Sequence, residues 1–220
     1  MKHGFGSKCV GVIGSLLLVV GSVWAGEPPP ERMALLQEDT FGPGMGLYDA
    51  LRRRHASRDF DGEALSLEQL SRICWAARGI NRPEEGMLTI PSGHNQQDLT
   101  LYVFLENGIW RYNAEDHTLI QLPETAGMDY RAQTGEQEFV GRAGANLVYV
   151  SDTTRYAHMT DVVDRWAGFH AGVAAQNVGL VCAAEGMKNV VRATFSSQGL
   201  ERLLQLPVGS VAVMTQSIGP

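Results

Sequence analysis

A long, largely apolar segment runs from about Thr160 to Met187. Alanine, valine, glycine and leucine fill it, and from Ala171 onward it is apolar nearly all round. A helix with that pattern is normally buried on most of its sides. The segment therefore predicts a buried central helix against which the rest of the domain packs. Its Gln176-Asn177 pair then needs buried hydrogen-bond partners, which contacts between helices would supply.

Several shorter segments are rich in β-branched and aromatic residues or alternate between apolar and polar residues, which predicts strands. The clearest pair is separated by Asn107-Gly108, a dipeptide typical of the turn between antiparallel strands. The predicted strands cover residues 99–105, 109–112, 147–150, 189–195 and 211–215. Together with the helices, they predict an α+β domain in which helices flank an antiparallel-rich sheet.

Three further helices are predicted from local signals. One begins near Met45, and a short one lies near residues 198–205, between the last two strands. Ser66 and Gln69 have the spacing of a capping box, in which each side chain bonds the other residue's backbone N–H at a helix start. The helix that they open is expected to end at Gly79, since glycine commonly ends helices.

The first 25 residues differ in composition from the rest. A basic start precedes the apolar run Val10–Val20, and Val23-Trp24-Ala25 follows, with small residues at the positions that a signal peptidase reads. This predicts a signal peptide over residues 1–25 and an exported, periplasmic protein with no stable membrane insertion after cleavage. The alternative is a single membrane anchor, but the run is shorter than the roughly 20 residues that a span needs. Residues 26–44 are predicted to form an extended arm, and residues 45–220 one domain.

The chain has 220 residues and a net charge of −6, and 44% of its residues are hydrophobic. It can bury a core, and its acidic balance argues against a general nucleic-acid binder, which is usually basic. The spacings of Cys9, Cys74, Cys182 and the histidines predict no metal site. After signal cleavage, Cys74 and Cys182 could form a disulfide or remain as buried thiols. Their apolar surroundings favour thiols.

Four arginines lie within the seven residues Arg52-Arg53-Arg54-His55-Ala56-Ser57-Arg58. Guanidinium groups match the oxygens of a phosphate, so this run can clamp an anion. From these residues alone, a solvated basic helix end that interacts with the helix dipole is an equally good interpretation.

Two other segments could contact a ligand. The loop Pro91-Ser92-Gly93-His94-Asn95 could offer hydrogen bonds to a polar ring, although by itself an ordinary loop explains it better. Glu185-Gly186 closes the long helix, where glycine either allows close approach of a ligand or simply caps the helix. His170 is best explained as a satisfied core histidine. The sequence has no Ser-His-Asp, HExxH, Walker or GxGxxG pattern.

Taken in order, these segments resemble the nitroreductase family, over roughly residues 47–220. The likeness is greatest to the branch that includes the SagB-type dehydrogenases of thiazole and oxazole peptide maturation. No single motif is specific, but their order and spacing together are. The motifs that carry the resemblance are Arg54-His55-Ala56-Ser57-Arg58-Asp59-Phe60, Leu65–Leu70, Trp75-Ala76-Ala77-Arg78-Gly79-Ile80-Asn81-Arg82, Pro91-Ser92-Gly93-His94-Asn95, Gly108–Tyr112, Gln176-Asn177 and Glu185-Gly186.

The resemblance implies a nitroreductase-like fold, with the long helix at the interface of a homodimer and FMN bound there. It implies that Arg54 and Arg58 bind the FMN phosphate and that His55 and Ala56 line that end of the site. Flavin contacts would come from Pro91, Ser92 and Asn95, belonging to the other subunit, and from the backbone at Glu185 and Gly186, near the flavin N5. The flavin would carry the redox chemistry and the protein would orient it.

Some features depart from the family pattern. Ala56 stands where relatives have a serine, and the sequence stops at Gly219-Pro220 without the basic residues that many relatives carry there. Lys188 is the only lysine after residue 25, and no catalytic lysine–tyrosine pair is identified. The predicted function is an FMN-dependent oxidoreductase acting on a small organic substrate, with the donor and the catalytic residues open. The alternatives are a flavin-binding module without turnover and an extracellular anion-binding protein.

Overall fold

The computed structural model describes Met1 and residues 30–156 and 163–220. Residues 2–25 of the predicted signal peptide therefore lie outside the described residues, as do the first four residues of the arm and residues 160–162 of the predicted long helix. Within the described part of the chain, the architecture is a single mixed sheet-and-helix unit, as the sequence predicts.

A seven-stranded sheet forms the middle of the domain, with strand order β1-β6-β5-β4-β7-β9-β8 and every pair antiparallel. The hairpin expected at Asn107-Gly108 joins β4 to β5, which confirms that prediction. A separate two-stranded ribbon, β2 and β3, lies between α2 and β4 in the chain. The strands are β1 Arg32–Ala34, β2 Ile80–Arg82, β3 Met87–Leu88, β4 Leu99–Leu105, β5 Gly108–Asn113, β6 Thr118–Gln121, β7 Ala145–Asp152, β8 Lys188–Arg192 and β9 Ser210–Gly219.

Four α-helices accompany the sheet: α1 Leu47–Arg53, α2 Leu67–Arg78, α3 Val163–Glu185 and α4 Ser197–Leu203. The capping box at the start of α2 is confirmed. The Ser66 hydroxyl accepts from the backbone N–H of Gln69 at 3.1 Å, and the Gln69 side chain accepts from the Ser66 N–H at 2.9 Å. Gly79 ends this helix, and its N–H donates to the Trp75 carbonyl at 2.6 Å.

The alternation of residues along the strands separates two layers of core. Leu99, Leu101 and Val103 of β4 pack with α2 and α3 in the larger cluster, whereas Phe104 packs with α4 in a second cluster. Successive side chains of a strand point to opposite faces, so helices cover both faces of the sheet. The long helix α3 lies in the larger layer and contacts α1, α2 and β9.

The long helix is buried on one side only. On that side, Ala171, Ala174 and Val178 are fully buried. On the other side, Phe169 is 49% exposed and Gln176 is exposed as well. The expectation that Gln176 is buried is therefore wrong for the single chain, because it lies on the side that faces away from the sheet. Its neighbour Asn177 does find buried partners: its side-chain amide donates to the carbonyls of Ala76 at 3.1 Å and Thr89 at 3.3 Å.

Part of the predicted arm has regular secondary structure. Arg32–Ala34 pairs with β6 as the edge strand of the sheet, and a 3-10 turn follows at Glu38–Thr40.

Cys74 and Cys182 are both free and fully buried, as the thiol interpretation predicts. Among the described residues, no helix is both long enough and apolar enough to cross a bilayer.

Candidate functional site

The arginine-rich segment follows α1 and is fixed at its far end. The backbone N–H of Ser57 donates to the Asn189 carbonyl of β8 at 2.8 Å. Phe60 is only 2% exposed and packs in a small cluster with Ala143 and Val190. The stretch between α1 and Phe60 is therefore held against the sheet while its side chains stay in solvent.

Several of these arginines have no acidic partner. Arg53, Arg54 and Arg58 are exposed and make no ion pair with any residue that the structure describes. Arg52 differs, because its guanidinium pairs with Asp49 at 2.6 Å on the same helix. Unpaired guanidinium groups on one short segment are suited to bind an anion such as a phosphate.

A cavity of about 270 Å³ lies beside this segment, where the end of α3 meets β8. The helix end there is formed by Gly186, whose φ of +73° favours glycine, and the N–H of Met187 donates to the Cys182 carbonyl at 2.8 Å. This is a regular glycine cap. The cavity thus brings His55 and Gly186 together, as two of the residues predicted for the site. Its lining consists of Arg53, His55, Cys182, Ala183, Gly186, Met187 and Asn189.

The side chain of Glu185 is directed to α2 rather than to this cavity. Its carboxylate pairs with the Arg72 guanidinium at 3.0 Å, and Arg72 also pairs with Glu68 at 2.5 Å. Any role of Glu185 in the predicted site therefore falls to its backbone. Lys188, the only lysine after residue 25, pairs with Asp61 at 3.0 Å.

The loop with Pro91, Ser92 and Asn95 has an unusual backbone. His94, Asn95 and Gln97 all have positive φ angles, of 50°, 55° and 47°. This conformation costs about 1 kcal/mol or more for a residue with a side chain, and such residues concentrate at functional sites. Hydrogen bonds within the loop hold it: the Ser92 hydroxyl accepts from the Gln97 N–H at 3.0 Å, and the Asn95 side chain accepts from the Gln97 side chain at 3.1 Å.

A buried histidine fixes the same loop from below. The Gly93 N–H donates to Nε2 of His170 at 2.9 Å. Because an amide can only donate, Nε2 must be unprotonated, and the ring proton is on Nδ1. Nδ1 donates to the Asp98 carboxylate at 2.6 Å, and both side chains are fully buried. The prediction that His170 is a satisfied core histidine is confirmed.

The Asp98 carboxylate accepts two further hydrogen bonds. The Tyr156 hydroxyl donates to it at 2.9 Å, and the Ser151 hydroxyl bonds its other oxygen. Burial alone would raise the pKa of Asp98, but the hydrogen bonds from His170 and Ser151 outweigh burial and hold that pKa below its ordinary value. The group is therefore a buried carboxylate whose charge is stabilised by three side-chain donors.

The two sets of predicted site residues are not adjacent within one chain. The loop is tied to His170 in the first third of α3, and Gly186 follows the last residue of that helix. At 1.5 Å per residue, the helix separates His170 from Gly186 by about 24 Å. A single subunit therefore does not close one site from both sets.

Comparisons with known proteins agree with this fold. A model of the nitroreductase family matches residues 51–219. The chain belongs to the nitroreductase family. A Ralstonia eutropha protein whose crystal structure is described as that of a nitroreductase is 33% identical, with a TM-score of 0.79 over 87% of this chain and 93% of its own. A protein of Methanocaldococcus jannaschii named as a nitroreductase is 27% identical over 168 residues, 73% of this chain and 84% of its own length.

A more distant structural likeness covers nearly the whole of this chain. The microcin synthetase complex of Escherichia coli contains a chain that aligns with 96% of this one and 84% of its own length, at 17% identity and a TM-score of 0.63. At that identity the likeness concerns the fold.

The sequence interpretation missed one part of this nitroreductase. It did not single out Asp98, whose buried carboxylate bonds His170. It also did not single out Ser151 and Tyr156, whose hydroxyls donate to that carboxylate. The signal available was a carboxylate directly before a buried strand, since Asp98 precedes β4 at Leu99. A buried acid at that place needs donors, but the sequence does not show where the donors come from.

Proposed function

We propose that this protein is an FMN-dependent oxidoreductase that acts on a small organic substrate, with one flavin at each of two equivalent sites of a homodimer. Membership of the nitroreductase family supports an oxidoreductase. The observation that carries the FMN assignment is the exposed segment Arg53–Arg58, which offers unpaired guanidinium groups beside a cavity at the end of α3.

The residues fit the phosphate end of FMN. Arg54 and Arg58 would bind its oxygens, since neither has an acidic partner among the described residues. Nδ1 of His55 donates to the Arg53 carbonyl at 2.7 Å, so its Nε2 remains as an acceptor toward the ribityl chain. Ala56 has no hydroxyl to add, so the two arginines would contribute most of the binding.

The loop residues fit a contribution from the partner subunit. In one chain the loop and the arginine segment lie near opposite ends of α3. Two copies that pack their α3 helices antiparallel would bring the loop of one to the arginine segment of the other. Such packing would cover the outward stripe of α3, which consists of Phe169, Val173, Gln176 and Leu180.

When bound, FMN would supply the two-electron chemistry of the reaction. The protein would hold and orient it. Pro91, Ser92 and Asn95 would contact the ring from a loop that hydrogen bonds keep rigid. The backbone at Glu185 and Gly186 would place an N–H donor near the position where negative charge develops on reduction.

The experiment is a visible absorbance spectrum of residues 26–220 after reconstitution with FMN and desalting. Retained flavin at about one per subunit is expected. The reduced protein is then mixed with oxygen or a quinone, and repeated reoxidation would establish turnover. A folded protein that emerges colourless would overturn the FMN assignment.

The second candidate is a flavin-binding module of the same fold without turnover. Ala56 in place of the family's serine favours it, because one phosphate contact is absent. Stable flavin binding without reoxidation by any acceptor would select this candidate.

We also propose that the protein is exported and periplasmic, on the strength of residues 1–25 alone. Because reduced nicotinamides are cytoplasmic, an exported enzyme would need another electron donor or would act as an oxidase or dehydrogenase. Cell fractionation with N-terminal sequencing tests this proposal. A cytoplasmic protein that begins at Met1 would contradict it.

Within the family, we place the chain nearest the thiazole and oxazole dehydrogenase branch. The motif order supports this placement, and the fold likeness to a chain of the microcin synthetase complex is consistent with it. Oxidation of a synthetic azoline by the flavin-loaded protein would support the placement, and its absence alongside reduction of nitroaromatic compounds would count against it.

A further inference from the structure

A second polar cavity, of about 450 Å³, lies where α2 ends, beside the β2–β3 ribbon and the edge formed by the start of β4 and the end of β5. It shares no lining residue with the cavity beside His55. We call it the arginine cavity, because Arg78, Arg111 and Arg155 all line it. The other lining residues are Ile80, Gly86, Leu88, Gln97, Thr100, Tyr112, Asn113, Ala114 and Glu115.

Arg78 is the least satisfied of these arginines. Its side chain makes no hydrogen bond or ion pair with any described residue, and its Nε is buried without a partner. Burial is the largest cause that lowers the pKa of Arg78 from its ordinary value, and the positive charge of Arg155 adds to it, whereas Tyr112, Asp98 and Glu115 oppose the shift. A guanidinium that is partly removed from water needs acceptors, and the described residues supply none.

Among the lining residues, positive side chains outnumber negative ones. Arg155 donates to the Gln96 carbonyl at 2.7 Å and pairs with Asp152 at 3.3 Å, which fixes its direction. Arg111 forms no ion pair with the described residues, and Glu115 is the one carboxylate among the lining residues. Three guanidinium groups and one carboxylate therefore line the cavity, while Asp152, which pairs with Arg155, and Asp98, whose charge acts on Arg78, are not among the lining residues.

We propose that the arginine cavity binds the carboxylate or phosphate group of a small ligand, with Arg78 as its main contact and Arg111 and Arg155 beside it. Both groups present oxygens that match the planar fork of a guanidinium. The site goes beyond the proposed flavin function, does not depend on it, and lies on other residues than the arginine segment after α1.

The test is a titration of the purified protein with inorganic phosphate and, separately, with succinate, followed by thermal unfolding and calorimetry. Sodium chloride keeps the ionic strength constant. The same titrations are made with an Arg54→Ala, Arg58→Ala double variant, which removes the other candidate for phosphate binding. A saturable response to one of the two anions is expected in both proteins, and the anion that binds more tightly identifies the class of ligand.

Arg78→Met should weaken that binding by about tenfold or more, as expected for the loss of a charged hydrogen-bonding partner. The matched control is Arg82→Met, because Arg82 is exposed on β2 and does not line the cavity. Equal binding by the two variants would overturn the proposal. So would the absence of a saturable response to both anions, or a response lost only in the Arg54, Arg58 double variant.

A second pair of variants keeps the proposal testable if Arg78→Met does not fold. Glu115→Gln removes the acid among the lining residues and should tighten binding by about threefold or more, because it removes a repulsive charge. Arg111→Met should weaken binding. General damage to the fold would weaken binding and not tighten it. Unchanged binding in both variants would overturn the proposal.

Discussion

The Gly93 N–H donates to Nε2 of His170 at 2.9 Å, which ties the loop before β4 to the long helix. The space there is tight: a Cβ at position 93 would lie 3.1 Å from the Trp166 ring, closer than ordinary contact, so the ring would have to shift by a few tenths of an ångström. Trp166 itself stacks on His170, with 5.5 Å between ring centroids. The hydrogen bond from Gly93 and the packing of Trp166 on His170 therefore hold the loop whose backbone is strained at His94, Asn95 and Gln97.

His170→Ala should destabilise the protein strongly. It leaves the Gly93 N–H without an acceptor and the buried Asp98 carboxylate with one donor fewer. Removing one partner of a buried charged pair costs about 3 kcal/mol or more. Urea unfolding measures the loss, and His55→Ala, an exposed histidine, is the control with little expected change.

The same variant should loosen the loop specifically. Hydrogen exchange of the backbone N–H groups at residues 93–97 should accelerate more than exchange in β4. Uniform acceleration across the domain would mean that His170 supports the fold as a whole and not this loop.

Asp98→Asn tests whether the buried acid is charged. The pKa of Asp98 is lowered below its ordinary value of 3.8, so the stability from its charge is present above about pH 4 and is lost as the pH falls through that lowered pKa. The wild type should therefore be more stable than the variant at pH 7, and the difference should shrink below about pH 4. Urea unfolding at stepped pH values measures this, and an advantage of the wild type that instead grows as the pH falls would mean that the folded protein holds a neutral acid.

Much of the fold could be predicted because its signals are local. The capping box involves residues three positions apart, and the hairpin turn is a dipeptide, so neighbouring residues alone determine them. The strands β7 and β9 are longer than predicted, at Ala145–Asp152 and Ser210–Gly219, because they pair with each other along their length. Strand length set by a distant partner is not visible in a short segment.

The candidate site was predictable only in part for the same reason. The arginine segment and the loop are recognisable as motifs. The Asp98–His170 pair joins residues 72 positions apart, and Arg155, 77 positions from Arg78, comes to the arginine cavity from another part of the chain. Only tertiary structure brings such groups together, since each residue alone fits an ordinary surface or core position.

The two thiols should be unreactive in the folded protein. Burial raises the pKa of Cys74 well above its ordinary value and that of Cys182 to about 12. Because the thiolate is the reactive form, neither should react with Ellman's reagent at pH 8. In protein that begins at residue 26, two thiols should react after unfolding in guanidinium chloride. A count of zero there would show that they are joined in a disulfide.

The arginine segment should determine the affinity for FMN. Replacing Arg54 and Arg58 together with alanine removes two charged contacts, each contributing about 1.5 kcal/mol at the lower end of the range, so FMN should bind roughly a hundredfold more weakly. The control is Arg52→Ala, because Arg52 is already paired with Asp49. Quenching of flavin fluorescence measures the affinities. Unchanged affinity in the double variant would show that the phosphate binds elsewhere.

The outward stripe of α3 should be the dimer interface. Phe169 is 49% exposed in the single chain, and Leu47, Tyr48 and Leu51 of the neighbouring α1 are exposed as well. Exposed apolar groups on adjacent helices indicate a surface that a partner covers. Phe169→Glu should therefore shift the protein toward monomer in sedimentation and lower its flavin content in parallel, because the loop of one subunit would no longer reach the arginine segment of the other. Val208→Glu, at a fully exposed position, is the control and should remain dimeric. A monomeric wild type that retains its flavin would refute a site shared between subunits.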